Sequence, residues 1–165
     1  MKNLLIMRHA KSDWDNPSIS DFDRPLNNRG KASAPLVGHE LLKRDKVPEL
    51  IISSPANRAK TTSELVSKII GYKQPIQYEN EFYFGSIDEM ISIIRDTDNL
   101  YKRIMIVGHN PTLEELVPDL TGDHIERSLP TAAIVSINFD FDNWNQLGLE
   151  NGELEFIIIP KEIIS

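Results

Sequence analysis

The sequence lacks cysteine, any long hydrophobic run and an excess of positive charge. The absence of cysteine from all 165 residues excludes disulfides, thiolate metal sites and cysteine nucleophiles. No apolar stretch approaches the roughly 20 residues needed to span a bilayer. The 25 acidic residues outnumber the 18 basic ones, and the net charge of -7 argues against general affinity for nucleic acid or anionic membranes. Chemistry must therefore come from His, Asp, Glu, Arg or Ser.

The length predicts one domain over residues 1–165, because domains commonly hold about 100–150 residues around a single core. Only Lys2 precedes the first apolar run, whereas a signal peptide has a longer apolar core and a small-residue cleavage site. These features predict a cytoplasmic protein that has neither nucleic acid nor a membrane as a partner.

Strand and helix patterns alternate along most of the chain. Short apolar runs predict strands at 3–7, 50–53, 76–78, 103–107, 132–139 and 153–159. Helical spacing of apolar residues predicts helices at 31–44, from 54–55 to 70, at 87–95 and at 113–120. The order predicts an α/β fold, in which helices cover a mostly parallel central sheet with an antiparallel hairpin at one edge.

Local signals predict how several of these elements begin and end. Gly30 is expected to precede the first helix. Ser54 as N-cap and Pro55 at the first helical position predict the start of the second helix, and Gly71 predicts its end. The polar segment Lys11–Asn28 is predicted to be a functional loop, because connections this long without secondary structure are otherwise uncommon.

Two histidines follow apolar runs of the predicted sheet. Arg8 and His9 come after the first run, His109 follows a later one, and Arg58 falls near the start of the second helix. The carboxyl ends of parallel strands share one edge, where ligands of such sheets bind. Histidine can attack phosphorus, and the arginine fork can hold two phosphate oxygens. The pattern therefore predicts phosphoryl-transfer chemistry.

Each of these residues also has a purely structural interpretation. His9 alone is compatible with a hydrogen-bonded structural histidine, and Arg58 with a salt bridge to Glu64. His39 and His124 lack a strand-end position and are interpreted as a helix-surface and a loop histidine. A metal hydrolase built from His9, His109 and aspartates such as Asp13 is disfavoured, because the arginines beside the histidines repel a cation.

Three segments resemble the motifs of the histidine phosphatase superfamily. They are Arg8-His9-Ala10, Ser53-Ser54-Pro55 with Arg58-Ala59 and Thr61-Thr62, and Gly108-His109-Asn110-Pro111. The short length and the segment from Asp23-Arg24-Pro25-Leu26 through Arg29-Gly30 look most like the small phosphohistidine phosphatase branch called SixA. Ala10 replaces the glycine of the family signature, which requires the backbone there to avoid positive φ.

The resemblance implies a three-layer α/β sandwich of the phosphoglycerate-mutase-like type and a phosphatase that needs neither metal nor cofactor. His9 would attack phosphorus and form a phosphohistidine intermediate that water hydrolyses. Catalysis would further involve Arg8, Arg58 and His109, which bind the phosphoryl oxygens. Ser12 and Asn110 are expected to contact substrate.

Glu81 is the nearest positional match to the acidic residue with which the larger branch protonates the leaving group. The alternative is that Glu81 belongs to a solvated, structural run, Glu79-Asn80-Glu81. A protonated imidazole leaves without strong help from an acid, so the substrate decides how much Glu81 contributes.

The favoured substrate is phosphohistidine in a signalling protein such as a histidine-containing phosphotransfer domain. Little sequence separates Glu81 from Arg103 beyond one helix, so there is scant material for a lid, and an open site fits a phosphate displayed on a protein surface. Two alternatives remain. One is a phosphomonoesterase or mutase that acts on a small phosphate ester, and the other is a non-catalytic phosphate-binding module.

Overall fold

The computed structural model describes residues 1–123 and 128–163 and contains one six-stranded mixed sheet. The strands are β1 (Lys2–Arg8), β2 (Leu50–Ser53), β3 (Gln77–Tyr78), β4 (Arg103–Gly108), β5 (Ile134–Phe139) and β6 (Gly152–Ile158). The helices are α1 (Asn28–Lys43), α2 (Asn57–Ile70), α3 (Glu81–Phe84), α4 (Ile87–Arg95) and α5 (Thr112–Thr121), and 3-10 turns occur at Trp144–Gln146 and Pro160–Glu162.

The sheet has the strand order β3-β2-β4-β1-β5-β6. Strands β3, β2, β4 and β1 run parallel to one another, whereas β5 is antiparallel to β1 and β6 is antiparallel to β5. This confirms the predicted α/β class, with a mostly parallel sheet and an antiparallel edge.

Helices cover both faces of the sheet, because successive residues of a strand point to opposite sides. On β1, Leu4 and Ile6 pack in one core with α4 and α5, whereas Leu5 and Met7 pack in a second core with α1 and α2. All four side chains are fully buried. The result is the predicted three-layer sandwich. In the described part of the chain, no helix is long and apolar enough to cross a membrane.

The register of the parallel strands aligns the functional segments at one edge. Arg8 of β1 is paired with Gly108 of β4, and Ser53 of β2 with Val107. The backbone N–H of His9 donates to the Gly108 carbonyl at 3.0 Å, so β1 and β4 end side by side. His9, Ser54 and His109 therefore emerge at the same edge of the sheet.

Helix α1 begins earlier than its apolar spacing predicts. The Asn27 side chain accepts a hydrogen bond from the Gly30 N–H at 2.9 Å, so the helix starts at Asn28 and Gly30 lies inside its first turn. The prediction that Gly30 precedes the helix is therefore wrong. Glycine is needed here because a Cβ at this position would clash with the Lys11 carbonyl oxygen.

Helix α2 begins later than predicted, at Asn57 instead of Ser54-Pro55. Ser54 Oγ accepts from the Ala56 N–H at 3.2 Å in a turn before the helix, and the Asn57 N–H donates to the Phe22 carbonyl at 2.9 Å. The sequence predicts that the Ser54 side chain caps the helix. Instead, the Phe22 carbonyl of the long loop accepts from the N–H of Asn57, the first helical residue. The predicted end is correct, because Gly71 adopts a left-handed φ of 73°. The short helix α3 was not predicted.

Candidate active site

An open cavity of about 560 Å³ lies at the carboxyl edge of the parallel strands. We refer to it as the His9 cavity. It is lined by Arg8, His9, Lys11, Ser12, Trp14, Asp21, Arg24, Arg58 and Thr131. Four of the predicted site residues, Arg8, His9, Ser12 and Arg58, therefore meet in one place. His109, Asn110 and Glu81 do not line this cavity, although the His109 ring contacts the His9 ring.

Backbone hydrogen bonds hold His9 in position. The Ala132 N–H donates to the carbonyls of Arg8 and His9 at 3.1 and 3.0 Å, and the Ala10 N–H donates to Thr62 Oγ1 at 2.9 Å. Ala132 has a φ of 64°, a left-handed conformation that L residues rarely adopt. Ala10 does not have a positive φ, as an alanine in place of the family's glycine requires.

The His9 ring is oriented by its own segment of the chain. Its Nδ1 lies 2.7 Å from the Ala10 carbonyl oxygen. Since a carbonyl only accepts, Nδ1 carries the proton and Nε2 keeps its lone pair. Burial, partly offset by this hydrogen bond, lowers the pKa of His9 to about 4, so the ring is neutral at pH 7. The side chain is buried, with the residue only 7% exposed, instead of standing free at the mouth of the site.

His109 lies directly beside His9, with 5.0 Å between the ring centroids. Its Nε2 is 2.8 Å from Ser54 Oγ, the hydroxyl that the sequence assigned to a helix cap. Burial, followed by the proximity of His9 and Arg58, lowers the pKa of His109 to about 3. The second histidine is therefore also neutral at pH 7.

Arg58 is buried in the first turn of α2 and is held by a residue that sequence reasoning missed. Its Nη1 donates to the Asp21 carbonyl at 2.7 Å, and its Nη2 forms an ion pair with Asp21 Oδ2 at 3.2 Å. The partner is therefore Asp21, and the salt bridge to Glu64 considered from the sequence is not formed. Asp21 was one of several aspartates in a polar loop, and nothing in its spacing distinguished it.

Asp21 connects the long loop to two other parts of the site. Its Oδ1 accepts from Arg24 Nη1 at 2.9 Å, and its Oδ2 accepts from the Tyr83 hydroxyl at 2.7 Å. The Tyr83 hydrogen bond holds the pKa of Asp21 below its ordinary value, and the same bond raises the pKa of Tyr83. The Tyr83 ring meets the His109 ring edge-on at 5.5 Å, so α3 borders the site.

Arg8 and Asn110 share one carbonyl acceptor. Arg8 Nη1 and Asn110 Nδ2 donate to the Leu129 oxygen at 3.0 and 2.9 Å. Leu129 is itself fixed, because its N–H donates to Glu114 Oε2 at 3.1 Å. These bonds bring Asn110 to the same edge as Arg8, although the two residues are far apart in the chain.

Several buried polar side-chain atoms have no hydrogen-bond partner within residues 1–123 and 128–163. They are Arg8 Nε, Glu81 Oε2, His109 Nδ1 and Asn110 Oδ1. All four belong to residues predicted from the sequence to form the site. Arg8 Nε is a donor, whereas Glu81 Oε2 and Asn110 Oδ1 are acceptors, so a ligand or water that pairs with them must offer both kinds of group. The burial of Glu81 Oε2 contradicts the interpretation of Glu81 as fully solvated.

The remaining predicted residues have simpler positions. Ser12 is buried and forms an isolated β-bridge with Leu26, which closes the base of the long loop. His39 is exposed on α1, as expected, and His124 lies outside the described residues. Within 1–123 and 128–163, no group of three or more His, Asp or Glu side chains converges as a metal site would require.

A model of the histidine phosphatase superfamily (branch 1) matches residues 4–91. This segment is more than half of the chain and contains Arg8, His9 and Arg58. The chain belongs to this superfamily. The resemblance drawn from the three motifs is therefore confirmed.

Relatives of this superfamily member match it along most of their length. An uncharacterized protein from Mycobacterium leprae is 32% identical over 94% of this chain and 100% of its own. The structure of the protein histidine phosphatase SixA complexed with tungstate superposes with a TM-score of 0.83 at 23% identity, covering 96% of this chain and 97% of that one. A mycobacterial glucosyl-3-phosphoglycerate phosphatase has a TM-score of 0.69 at 13% identity, covering 94% and 97%.

The fold and the superfamily support phosphatase activity. In the His9 cavity, the neutral imidazole of His9 lies with two guanidinium groups, Arg8 and Arg58, and the neutral His109 ring packs against His9 from outside the cavity. Guanidinium groups neutralise the charge of a transferring phosphoryl group, and a neutral imidazole has the lone pair of a nucleophile. The arrangement is therefore suited to moving a phosphoryl group onto and off a histidine.

Proposed function

We propose that this histidine phosphatase superfamily member is a metal-independent phosphohistidine phosphatase with His9 as its nucleophile. The observation that carries the proposal is the meeting of Arg8, His9 and Arg58 in one cavity, with the His109 ring against the His9 ring. A phosphoryl group offers several acceptor oxygens, which matches the N–H donors of the Arg8 and Arg58 guanidinium groups. The cytoplasm is the proposed location, and a histidine-containing phosphotransfer domain is the proposed partner.

The proposed reaction has two displacements at phosphorus. First, His9 Nε2 forms a bond to phosphorus while the bond from phosphorus to the leaving nitrogen breaks, and the electron pair goes to that nitrogen. A water oxygen then attacks the phosphorus on His9, the bond from Nε2 to phosphorus breaks with its electron pair returning to Nε2, and inorganic phosphate departs with both protons of the water. Nδ1 keeps its proton and donates it in a hydrogen bond to the Ala10 carbonyl throughout, so Nε2 regains its lone pair after each cycle.

Arg58 can contribute to this reaction without leaving Asp21. Its guanidinium has five N–H donors, of which one contacts the Asp21 carbonyl and one the Asp21 carboxylate. No residue within 1–123 and 128–163 accepts from the remaining donors, which can bind phosphoryl oxygens in the His9 cavity. Asp21 thereby fixes the plane of the guanidinium while a phosphoryl group occupies its other edge.

Exposed aromatic side chains support a protein substrate over a small ester. Trp14 lines the His9 cavity yet is 71% exposed, and its ring lies 3.5 Å from the Arg24 guanidinium carbon. Phe84 is 74% exposed next to Tyr83. An enzyme that encloses a small metabolite buries most of the ligand surface, whereas these rings stand open to a large partner.

A substrate panel tests the proposal. Phosphohistidine protein, phosphotyrosine peptide, phosphoglycerate and sugar phosphates are compared at one pH, with and without prolonged chelation. We expect the highest kcat/KM with phosphohistidine and no loss on chelation. Preference for a small ester would favour the metabolite phosphatase instead. Absence of turnover with every substrate would favour a phosphate-binding module, and loss on chelation with recovery on zinc or manganese would restore the metal hydrolase.

The role of Glu81 is tested with two substrates. We propose that Glu81 delivers a proton to leaving groups that need one, so Glu81→Gln should slow hydrolysis of an alkyl phosphate much more than hydrolysis of phosphohistidine. Glu79→Gln, a neighbouring carboxylate that accepts from Gln77 instead, is the matched control. An equal loss of hydrolysis rate with both substrates would assign Glu81 to binding or local structure. An unchanged rate with both would mean that Glu81 takes no part in the reaction.

A further inference from the structure

A second, smaller pocket adjoins the His9 cavity. It has a volume of about 160 Å³ and is lined by Lys11, Arg29, Ser33, Pro130, Thr131, Ile159, Pro160 and Lys161. We call it the basic pocket. We propose that it binds a second anionic group, carboxylate or phosphate, on the substrate whose phosphoryl group enters the His9 cavity. This inference rests on the proposed function.

The charged side chains that line the basic pocket are all positively charged. Lys11, Arg29 and Lys161 form no ion pair and donate no side-chain hydrogen bond to any residue within 1–123 and 128–163. No carboxylate lines the pocket. Three cations around one small cavity, without an ion-pair partner in the part of the chain that the structure describes, create a local field that attracts an anion despite the net charge of -7.

The polypeptide backbone holds two of these cations together. The Asn27 N–H donates to the Lys11 carbonyl at 2.9 Å, and Gly30 lets the first turn of α1 pack against that same carbonyl. Arg29 lies in this turn and is therefore kept beside Lys11. The pairing is a consequence of the fold and not of chance side-chain positions.

The basic pocket lies next to the His9 cavity. Lys11 and Thr131 line both. Thr131 precedes Ala132, whose N–H donates to the carbonyls of Arg8 and His9. Thr131, which lines the basic pocket, is thus held beside the segment that bears the proposed nucleophile, His9. Because the two pockets share Lys11 and Thr131, we infer that one ligand with two anionic groups spans both.

The size of the pocket limits what it accepts. A volume of about 160 Å³ holds a carboxylate or a phosphate with a few waters but no folded segment, since one water occupies about 30 Å³ of liquid. The second anion has two possible sources. It is either an acidic side chain near the phosphohistidine of a protein or a second phosphate on a small molecule.

Equilibrium binding tests the proposal without requiring turnover. The double variant Arg29→Gln/Lys161→Gln removes two cations and leaves the residues of the His9 cavity intact. Lys68→Gln/Lys73→Gln makes the same change of net charge at exposed lysines that do not line either pocket. Isothermal titration calorimetry compares propylphosphonate with propane-1,3-bisphosphonate. It also compares a phosphonotriazolylalanine peptide with flanking aspartates against the same peptide with flanking asparagines.

The Arg29→Gln/Lys161→Gln variant should weaken binding of at least one doubly anionic ligand by about fivefold, because it removes two exposed charge contacts, each of modest strength. The matched singly anionic ligand should bind this variant with an affinity within about twofold of wild type. The control variant Lys68→Gln/Lys73→Gln should change the affinity for neither ligand. Weaker binding of the aspartate peptide to Arg29→Gln/Lys161→Gln would identify an acidic side chain of a protein as the second anion. Weaker binding of the bisphosphonate would identify a second phosphate on a small molecule. Unchanged binding of both doubly anionic ligands overturns the proposal. If wild type hydrolyses no substrate, the proposed function fails while these binding results still decide the inference.

Discussion

The two sides of the His9 cavity are built by different means. On the strand side, backbone hydrogen bonds from His9 to Gly108 and from Ala132 to His9 fix the chain, and the residues are buried. On the loop side, the side chain of Asp21 makes the contacts to Arg58 and Tyr83, and Asp21 is exposed. The side that carries the proposed nucleophile is therefore set by the sheet, whereas the other side depends on a few side-chain bonds.

This difference predicts different effects for substitutions on the two sides of the cavity. A residue fixed by strand pairing keeps its position when its neighbours change, so changes on the strand side should abolish chemistry without altering the fold. A residue held by exposed charged contacts can be replaced with small effects, because such contacts contribute little to stability. Changes on the loop side should therefore adjust ligand affinity. The following predictions test this contrast, beginning with the largest expected effect.

His9→Ala should abolish turnover, with a fall of at least about a thousandfold, because no other side chain can take over as nucleophile. The melting temperature and circular dichroism should show a folded protein, since backbone bonds hold this segment. His39→Ala, at an exposed histidine on α1, is the control. Rapid-quench labelling should place acid-labile phosphate on His9, and phosphate on another residue would refute the assignment.

Arg58→Lys should lower kcat/KM by more than about tenfold, because one ammonium cannot hold Asp21 and two phosphoryl oxygens as the guanidinium fork does. Inorganic phosphate and vanadate should also bind more weakly. Arg44→Lys, at a guanidinium paired with Glu40 away from the site, is the matched control. A near wild-type rate and affinity would place Arg58 outside the site.

The His9 imidazole should titrate near pH 4 in the free protein, well below the ordinary value of 6.5, because burial disfavours its charged form. The unfolded chain binds a proton in this interval that the folded chain does not bind. Stability should therefore fall as the pH drops from about 6.5 toward 4. NMR titration checks the midpoint, and the His9→Ala variant identifies the resonance by its absence. A midpoint near 6.5 would contradict the buried environment.

Asp21→Asn should raise the affinity for inorganic phosphate by about threefold, because it removes a negative charge that contacts Arg58 at an exposed position. Asp23→Asn, a neighbouring exposed carboxylate that accepts from Ser20, makes the same charge change without that contact. Titration calorimetry measures both variants. Weaker binding in Asp21→Asn would mean that orienting Arg58 outweighs the repulsion between carboxylate and phosphate.

Strand and helix positions were largely predictable, because apolar spacing reports directly on burial. The helix α4 was predicted with its observed bounds, Ile87–Arg95, and its capping box at Ser86 and Glu89 is a local feature. The starts of α1 and α2 were not predictable to the residue. They depend on the Asn27 side chain and on the Phe22 carbonyl, and the second of these reaches α2 only after the long loop folds over the sheet.

The sequence by itself determined the residue types of the site and the strands that carry them. Arg8, His9 and His109 follow apolar runs, and parallel strands bring their carboxyl ends to one edge. Only the tertiary structure decided that Asp21 holds Arg58, that Ser54 faces His109 and that Lys11 and Arg29 lie together. The physical reason is that strand pairing follows from a local periodic pattern, whereas these contacts join segments whose separation in the chain carries no periodic signal.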